Sequence, residues 1–436
     1  MTKYYLESLG CAKNLVDSEI FASILERARL ESVEYPEEAD LVLLNTCSFL
    51  QDSLQELDMV LGDLVTLKRE GQIAKLLVTG CVMNRGQDVF RKLYPEVDAW
   101  IGLKDFAAIE KWLGLPHDPG LGRTTIYSGF HRYLRISDGC SNNCSYCAIP
   151  SIRGKLNSVP IEDLMREAQV IAEDEDGSYP ELVVIAQDTA NYGVDLYGRK
   201  ALPELLSKLV EIPQYQWIRV MYMHPDHFEP EWLDLWKEHP KLLPYFEIPV
   251  QHCQDHILLA MNRKTGRQGL EALFADILRK MPQAVLRSTL ISGFPGETKR
   301  DAQDLEEFVH GIPFLYLGVF LYSRESGTVA ADMSQQVEPE TAQDRRDSLL
   351  EFQHERMGRM LESYVGKIVD VLIEGPAEEE GDDAWIGRAW FQAPEIDGNT
   401  YVQGPGLQPG MICPVLITDT IDADLFGEAV TDKENK

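Results

Sequence analysis

Three cysteines fall within eight residues, Cys140, Cys144 and Cys147, just after the apolar run Tyr133 to Ile136. A strand that delivers a tight cysteine cluster to its own C-terminal end suits a fold whose strand ends share a site, as those of a parallel sheet or barrel do. The following sequence repeats that plan. Apolar runs recur at Leu182 to Ala186, Trp217 to Met223, Tyr245 to Val250, Val285 to Ile291 and Tyr316 to Tyr322, with helix-length connections between them. Six such strands predict a parallel βα barrel, closed or partly open, over residues 131–360, with its site at the strand C-terminal ends.

The 436 residues leave room for about three domains at about 150 residues each. Residues 1–118 alternate the runs Tyr4 to Leu9, Leu41 to Leu44 and Leu76 to Val78 with helical patterns at Ser18 to Arg29 and Ser53 to Arg69, which predicts an N-terminal parallel-sheet domain. Pro116, Pro119, Gly120, Gly122 and Gly129 then mark a linker. After a helix-like run from Ala342 to Tyr364, short β segments at Lys367 to Ile373, Ala384 to Trp390, Asn399 to Val402 and Met411 to Ile417 predict a small antiparallel β-barrel over residues 361–436. The expected fold class is therefore α/β with an all-β C-terminal module.

Thiolates are the natural ligands of iron–sulfur clusters, and a cubane cluster normally takes four. Three close cysteines leave one iron open to an outside ligand. A zinc site with a distant fourth ligand uses the same residue type, but zinc motifs are usually paired CxxC elements and no second pair occurs. A second constellation is dispersed: Cys11, Cys47 and Cys81 each come at the end of an apolar strand. Strand C-termini of an open parallel sheet lie along one edge, so these three converge and predict a second cluster. Ordinary burial is the alternative fate of a free cysteine. Gly10 and Gly80, each beside a cysteine, favour the cluster, because a missing side chain admits a bulky ligand.

Neither a signal-peptide pattern nor a run of about 18 apolar residues is present, so a cytoplasmic protein without a membrane partner is expected. Reducing surroundings leave thiols available as ligands. The formal net charge of −30 disfavours nucleic acid as the main partner and favours a basic protein. Residues 361–436 carry 16 acidic against four basic residues.

The CxxxCxxC loop after the first strand of a βα repeat resembles the radical S-adenosylmethionine (SAM) superfamily. Together with Ser-Leu-Gly-Cys-Ala-Lys-Asn-Leu-Val-Asp-Ser-Glu at 8–19, it is similar to the methylthiotransferase family, over essentially the whole chain, with a C-terminal module like a TRAM domain. The resemblance implies two 4Fe-4S clusters and SAM as cofactors. The cluster at Cys140, Cys144 and Cys147 would split SAM to a 5′-deoxyadenosyl radical. Sulfur associated with Cys11, Cys47 and Cys81 would join the activated carbon, and a second SAM would methylate it. An electron donor and a sulfur source are implied partners.

Further pieces match near strand ends: Ala186-Gln187-Asp188-Thr189, Ile248-Pro249-Val250-Gln251-His252 and Gly293-Phe294-Pro295-Gly296-Glu297-Thr298. Tyr146, Arg153, Gln187, Asp188, Gly293 and Glu297 are the candidate cofactor-binding residues. Three of them have a plainer reading: Asp188 as a helix cap or polar loop residue, Glu297 as a first-turn carboxylate, Arg153 as one half of a surface ion pair. His252, Cys253 and Cys413 are read as structural. Two substrate classes occur in the family, an aspartate of the twelfth small-subunit ribosomal protein and adenosine of transfer RNA. The acidic tail and the 8–19 segment favour the basic ribosomal protein. A non-enzymatic electron-transfer or iron-sensing protein with two clusters is the remaining alternative.

Overall fold

The structure, a computed structural model, describes residues 2–120, 122–127, 129–174, 177–377 and 383–430. The chain divides into two compact units. The first comprises Met1–Ser128, Ser137–Asn157 and Ser323–Ala331, so the CxxxCxxC loop belongs with the N-terminal sheet. The second comprises Gly129–Ile136, Ser158–Tyr322 and Asp332–Lys436.

In the first unit, strands β1 (Lys3–Ser8), β2 (Glu31–Ser32), β3 (Leu41–Thr46), β4 (Lys75–Gly80) and β5 (Ala99–Trp100) form a parallel sheet in the order β2-β1-β3-β4-β5. Every residue of the central β3 is buried, as expected where helices cover both faces. Leu57, Leu61, Leu64 and Val65 of helix α2 (Gln51–Arg69) join the core on one face. Phe21, Ile24 and Leu25 of α1 (Ala12–Arg27), with Ile109, form the core on the other. Helix α1 starts six residues before the expected Ser18. Its first turns bury Lys13, Asn14, Asp17 and Ser18, polar residues whose helix the apolar periodicity does not register.

In the second unit the six expected strands are His131–Arg135, Glu181–Ile185, Trp217–Val220, Tyr245–Glu247, Val285–Ser292 and Phe314–Leu321, all parallel. They pair in two runs of three. The runs meet through Ile218 N–H to Lys241 O (2.7 Å), Leu243 N–H to Ile218 O (3.0 Å) and Met223 N–H to Glu247 O (3.1 Å), so the barrel is partial.

The C-terminal module is a closed five-stranded barrel of Ile368–Pro376, Ala384–Ala389, Thr400–Gln403, Ile412–Ile421 and Asp424–Ala429. The last strand is absent from the sequence expectation. It pairs parallel with Thr400–Gln403 and antiparallel with Ile412–Ile421, closing the ring. The acidic run at 378–382 lies outside the described residues.

A buried ionic lock joins this module to the N-terminal ends of the barrel strands. Glu181 accepts from Arg219 Nε at 2.8 Å and from Arg388 Nη2 at 2.7 Å, and all three side chains are essentially buried. Arg219 also donates to the carbonyls of Trp390 (2.9 Å) and Gln392 (3.2 Å). Nearby, Asp397 accepts from the Tyr245 hydroxyl at 2.8 Å and pairs with Arg287. Among the described residues no helix is long and apolar enough to cross a membrane.

Candidate functional site

The N-terminal cysteines lie at three neighbouring strand ends. The register pairs Ser8 with Asn45 and Thr46 with Gly80, so Cys11, Cys47 and Cys81 follow strands that stop along one edge. Asn14 ties the edge together. Its Nδ2 donates to Leu9 O at 2.7 Å and Thr46 O at 2.9 Å, while Asn45 Nδ2 donates to Asn14 O at 2.9 Å and Ser18 Oγ at 2.8 Å. Thr46 Oγ1 donates to Thr79 O at 2.6 Å and accepts from Val82 N–H at 3.2 Å.

Cys11 is exposed and occupies the N-cap position of α1 without a side-chain cap bond. Cys47 and Cys81 are buried. Burial pushes the Cys81 thiol up to about 12, against the opposing pull of Arg153. An isolated buried thiol of that kind stays protonated, so thiolate ligation there needs the positive charge of a metal.

The three thiols are donors that suit an iron–sulfur cluster, and the missing side chains of Gly10 and Gly80 are filled by protein atoms instead of leaving room for a ligand. Gly10 has φ +99°, and a Cβ there would lie 2.8 Å from Cys47 Cβ and 3.1 Å from its Sγ. Gly80 has φ +96°, and its Cβ would meet Thr46 N at 2.4 Å. The structure thus supplies three thiols on a frame that only glycine lets close so tightly.

Cys140, Cys144 and Cys147 are half-buried, in no disulfide, and carried on one short loop. Cys147 N–H donates to Cys144 O at 3.0 Å and Cys140 N–H to Gly154 O at 3.1 Å. Asn143 takes φ +53° between them. Three thiols held on one short loop are again a donor set for a cluster with an open iron. Tyr146 is half-buried on the same loop.

The Arg153 side chain is buried, and its donors go to two carboxylates and an amide of its own unit: Nη1 to Asp138 Oδ1 at 3.1 Å and Nη2 to Asp17 Oδ2 at 3.2 Å and to Asn14 Oδ1. Burial alone would lower its pKa, but Asp17, Cys81 and Asp138 hold it raised. Asp138 also pairs with Lys104. Asn14, Asp17 and Asp138 were not singled out by sequence, although Asn14 and Asp17 stand in the quoted 8–19 segment.

In the second unit, Gln187 and Asp188 follow the strand Glu181–Ile185. Asp188 makes no side-chain cap bond to the turn it precedes. Its Oδ2 lies 2.6 Å from His227 Nδ1, and its Oδ1 accepts from His224 N–H at 3.3 Å. Burial and Arg263 lower the His224 pKa to about 3, so its ring is neutral at pH 7. Asp188, His224 and His227 offer ligand atoms within 4.8 Å of one another. The present hydrogen bonds occupy His227 Nδ1 with Asp188 and His224 Nδ1 with the Asp226 N–H (3.2 Å). The sequence signal for this group is the Met-His-Pro-Asp-His run at 223–227, just past a strand end.

Gly293 (φ +81°) and Glu297 form a braced turn. Glu297 accepts from Gly293 N–H at 2.8 Å and from Arg345 Nη1 at 2.7 Å, and burial raises its pKa. The helix that follows is capped by Thr298 and Asp301 instead. His252 is buried with its pKa lowered to about 3 by burial. Burial raises Cys253 to about 12 and Cys413 to about 11, the inert state expected of structural thiols.

Comparison with known proteins agrees with this architecture. Residues 3–102 match the model of the uncharacterized protein family UPF0004, residues 134–309 the radical SAM superfamily and residues 365–430 the TRAM domain. The fold also resembles a solved radical SAM methyltransferase, TsrM from Kitasatospora setae, with a TM-score of 0.52 at 13% identity over 74% of this chain and 75% of that one. The fold and the triplet loop therefore define a radical SAM enzyme, a class that works with an iron–sulfur cluster and SAM. Proteins named ribosomal protein uS12 methylthiotransferase RimO are 38% identical, from Lachnoclostridium phytofermentans over 98% of this chain and 100% of theirs, and from Thermotoga maritima over 98% and 99%. The chain belongs to this RimO family of radical SAM methylthiotransferases.

Proposed function

We propose that this protein methylthiolates the β-carbon of an aspartate in ribosomal protein uS12, in the cytoplasm, using two 4Fe-4S clusters. The full-length likeness to proteins named for that activity carries the reading. Cys140, Cys144 and Cys147 would hold one cluster, and Cys11, Cys47 and Cys81 the other. Bound there, the cofactors supply a 5′-deoxyadenosyl radical, an activated sulfur and a methyl group. The chain's own work is to hold thiolates at fixed strand and loop positions, and to bury the frame from water. Tyr146, Arg153, Gln187, Asp188, Gly293 and Glu297 are proposed to shape the cofactor site, the last two through the braced turn. The reading assigns a cluster domain to 1–118, a radical SAM barrel to 131–360 and an acidic TRAM-like module to 361–436. An electron donor and a sulfur source complete the reaction.

Mass spectrometry of uS12 from cells with and without the gene tests this. A methylthio increment on one aspartate should vanish with the gene and return with the intact chain. Unchanged uS12 together with loss of methylthioadenosine from transfer RNA would transfer the activity to RNA.

A further inference from the structure

Arg153 stands six residues beyond Cys147, with 2% of its side chain exposed. Its guanidinium bridges Asp138 and Asp17, and Lys104 also pairs with Asp138. Two carboxylates thus face two cations, so these four side chains balance one another. Cys81 packs on Ala148 and Ile152, residues of the run that joins Cys147 to Arg153. Cys81 Sγ lies 3.7 Å from Asn14 Oδ1, the same oxygen that accepts from Arg153 Nη2. Asn14 in turn holds the backbone of Leu9 and Thr46, next to the other two cysteines. Asn84 Nδ2, three residues past Cys81, fastens Ile152 O at 2.6 Å.

We propose that Arg153 is a positioning residue that sets the charge environment of the Cys11, Cys47 and Cys81 site, so that one side chain couples the two cysteine sets. The inference rests on the two-cluster reading above. A fixed cation beside a thiolate-bound cluster favours the reduced state, which carries the extra electron. Asp17 acts on the same site with the opposite sign. A hydrogen-bonded side chain just outside the ligand shell also fixes where the ligands stand.

The test uses the full chain with Cys140, Cys144 and Cys147 changed to Ala, reconstituted with iron and sulfide so that only the N-terminal set can hold a cluster. Its midpoint potential is followed by electron paramagnetic resonance. Arg153→Gln should shift the reduced-to-oxidised ratio about tenfold toward oxidised, or about 59 mV for one electron. Asp17→Asn should shift the potential upward, and Arg153→Lys should restore most of the loss. A merely structural role would reduce iron content or melting temperature without shifts of opposite sign. Failure of the parent triple variant to bind any cluster would defeat the two-cluster reading, and this inference with it. A loaded parent whose potential is unmoved, or moved the same way, by Arg153→Gln and Asp17→Asn overturns this inference alone. Where Arg153→Gln does not fold, Asp17→Asn and Arg153→Lys decide: no upward shift in the first, or a large downward shift in the second, overturns it.

Discussion

Gly80 shows how little freedom the frame around Cys47 and Cys81 has. An alanine there would adopt a left-handed backbone and press its methyl to 2.4 Å from Thr46 N. Strain of this kind costs at least ~1–3 kcal/mol. Gly80→Ala should therefore lower the melting temperature and reduce iron bound at Cys11, Cys47 and Cys81, while iron at the triplet is retained. Equal iron in variant and parent would show that the frame tolerates the side chain. On the two-cluster reading the six cysteines should divide by role. Replacing Cys140, Cys144 or Cys147 by Ala should abolish 5′-deoxyadenosine formation, whereas replacing Cys11, Cys47 or Cys81 should spare part of it and stop sulfur insertion, both read by chromatography of the reaction. Equal loss of both activities in both sets would refute that division. The cysteines and their glycines are legible in sequence because position at a strand end is itself a pattern. The polar frame of Asn14, Asp17 and Asp138 around Arg153 is not, since burial turns ordinary helix and loop residues into partners and sequence does not display burial.

At the scale of elements, the barrel strands and the helix Pro339–Glu362 follow their apolar patterns closely. Two elements do not. Helix α1 begins inside a polar run, and the closing strand Asp424–Ala429 is acidic, with buried Leu425 and Gly427 as its interior marks. The lock of Glu181 with Arg219 and Arg388 was equally hidden, because its members lie more than 30 residues apart in sequence and meet only once the module docks. Burial raises the Glu181 pKa, but Arg388 and Arg219 outweigh that and lower it from 4.5 to about 2. A carboxyl whose folded pKa is depressed stabilises the fold fully above its unfolded value and loses that contribution as pH falls through the folded one. The second unit should therefore weaken between about pH 5 and pH 2. Glu181→Gln takes the paired carboxylate from buried Arg219 and leaves Arg388 with Glu374, and should cost about 3–5 kcal/mol at pH 7 in urea unfolding. The variant's stability should also depend less on pH across that window. An unchanged midpoint would show that the lock contributes nothing, as would an unchanged pH profile.

For the whole molecule, charge is the property that the sequence states most directly. The net −30 is uneven, with 16 acidic against four basic residues from 361 to 436. One of those four, Arg388, is already consumed in the buried lock. Asp370, Asp419, Asp422 and Glu428 are exposed on the C-terminal barrel, and among its described residues Lys367 is the exposed cation. Such a surface repels phosphate backbones and attracts a basic protein mainly through faster encounter. Changing these four carboxylates together to Asn or Gln should lower the association rate with uS12 about tenfold and flatten its salt dependence, with little change in dissociation. Stopped-flow binding at two ionic strengths measures both. The barrel interior contributes none of these side chains, so thermal unfolding should stay near that of the parent and separate a charge effect from a folding one. An association rate that is unchanged at low salt would remove charge as the means by which this chain recognises its substrate.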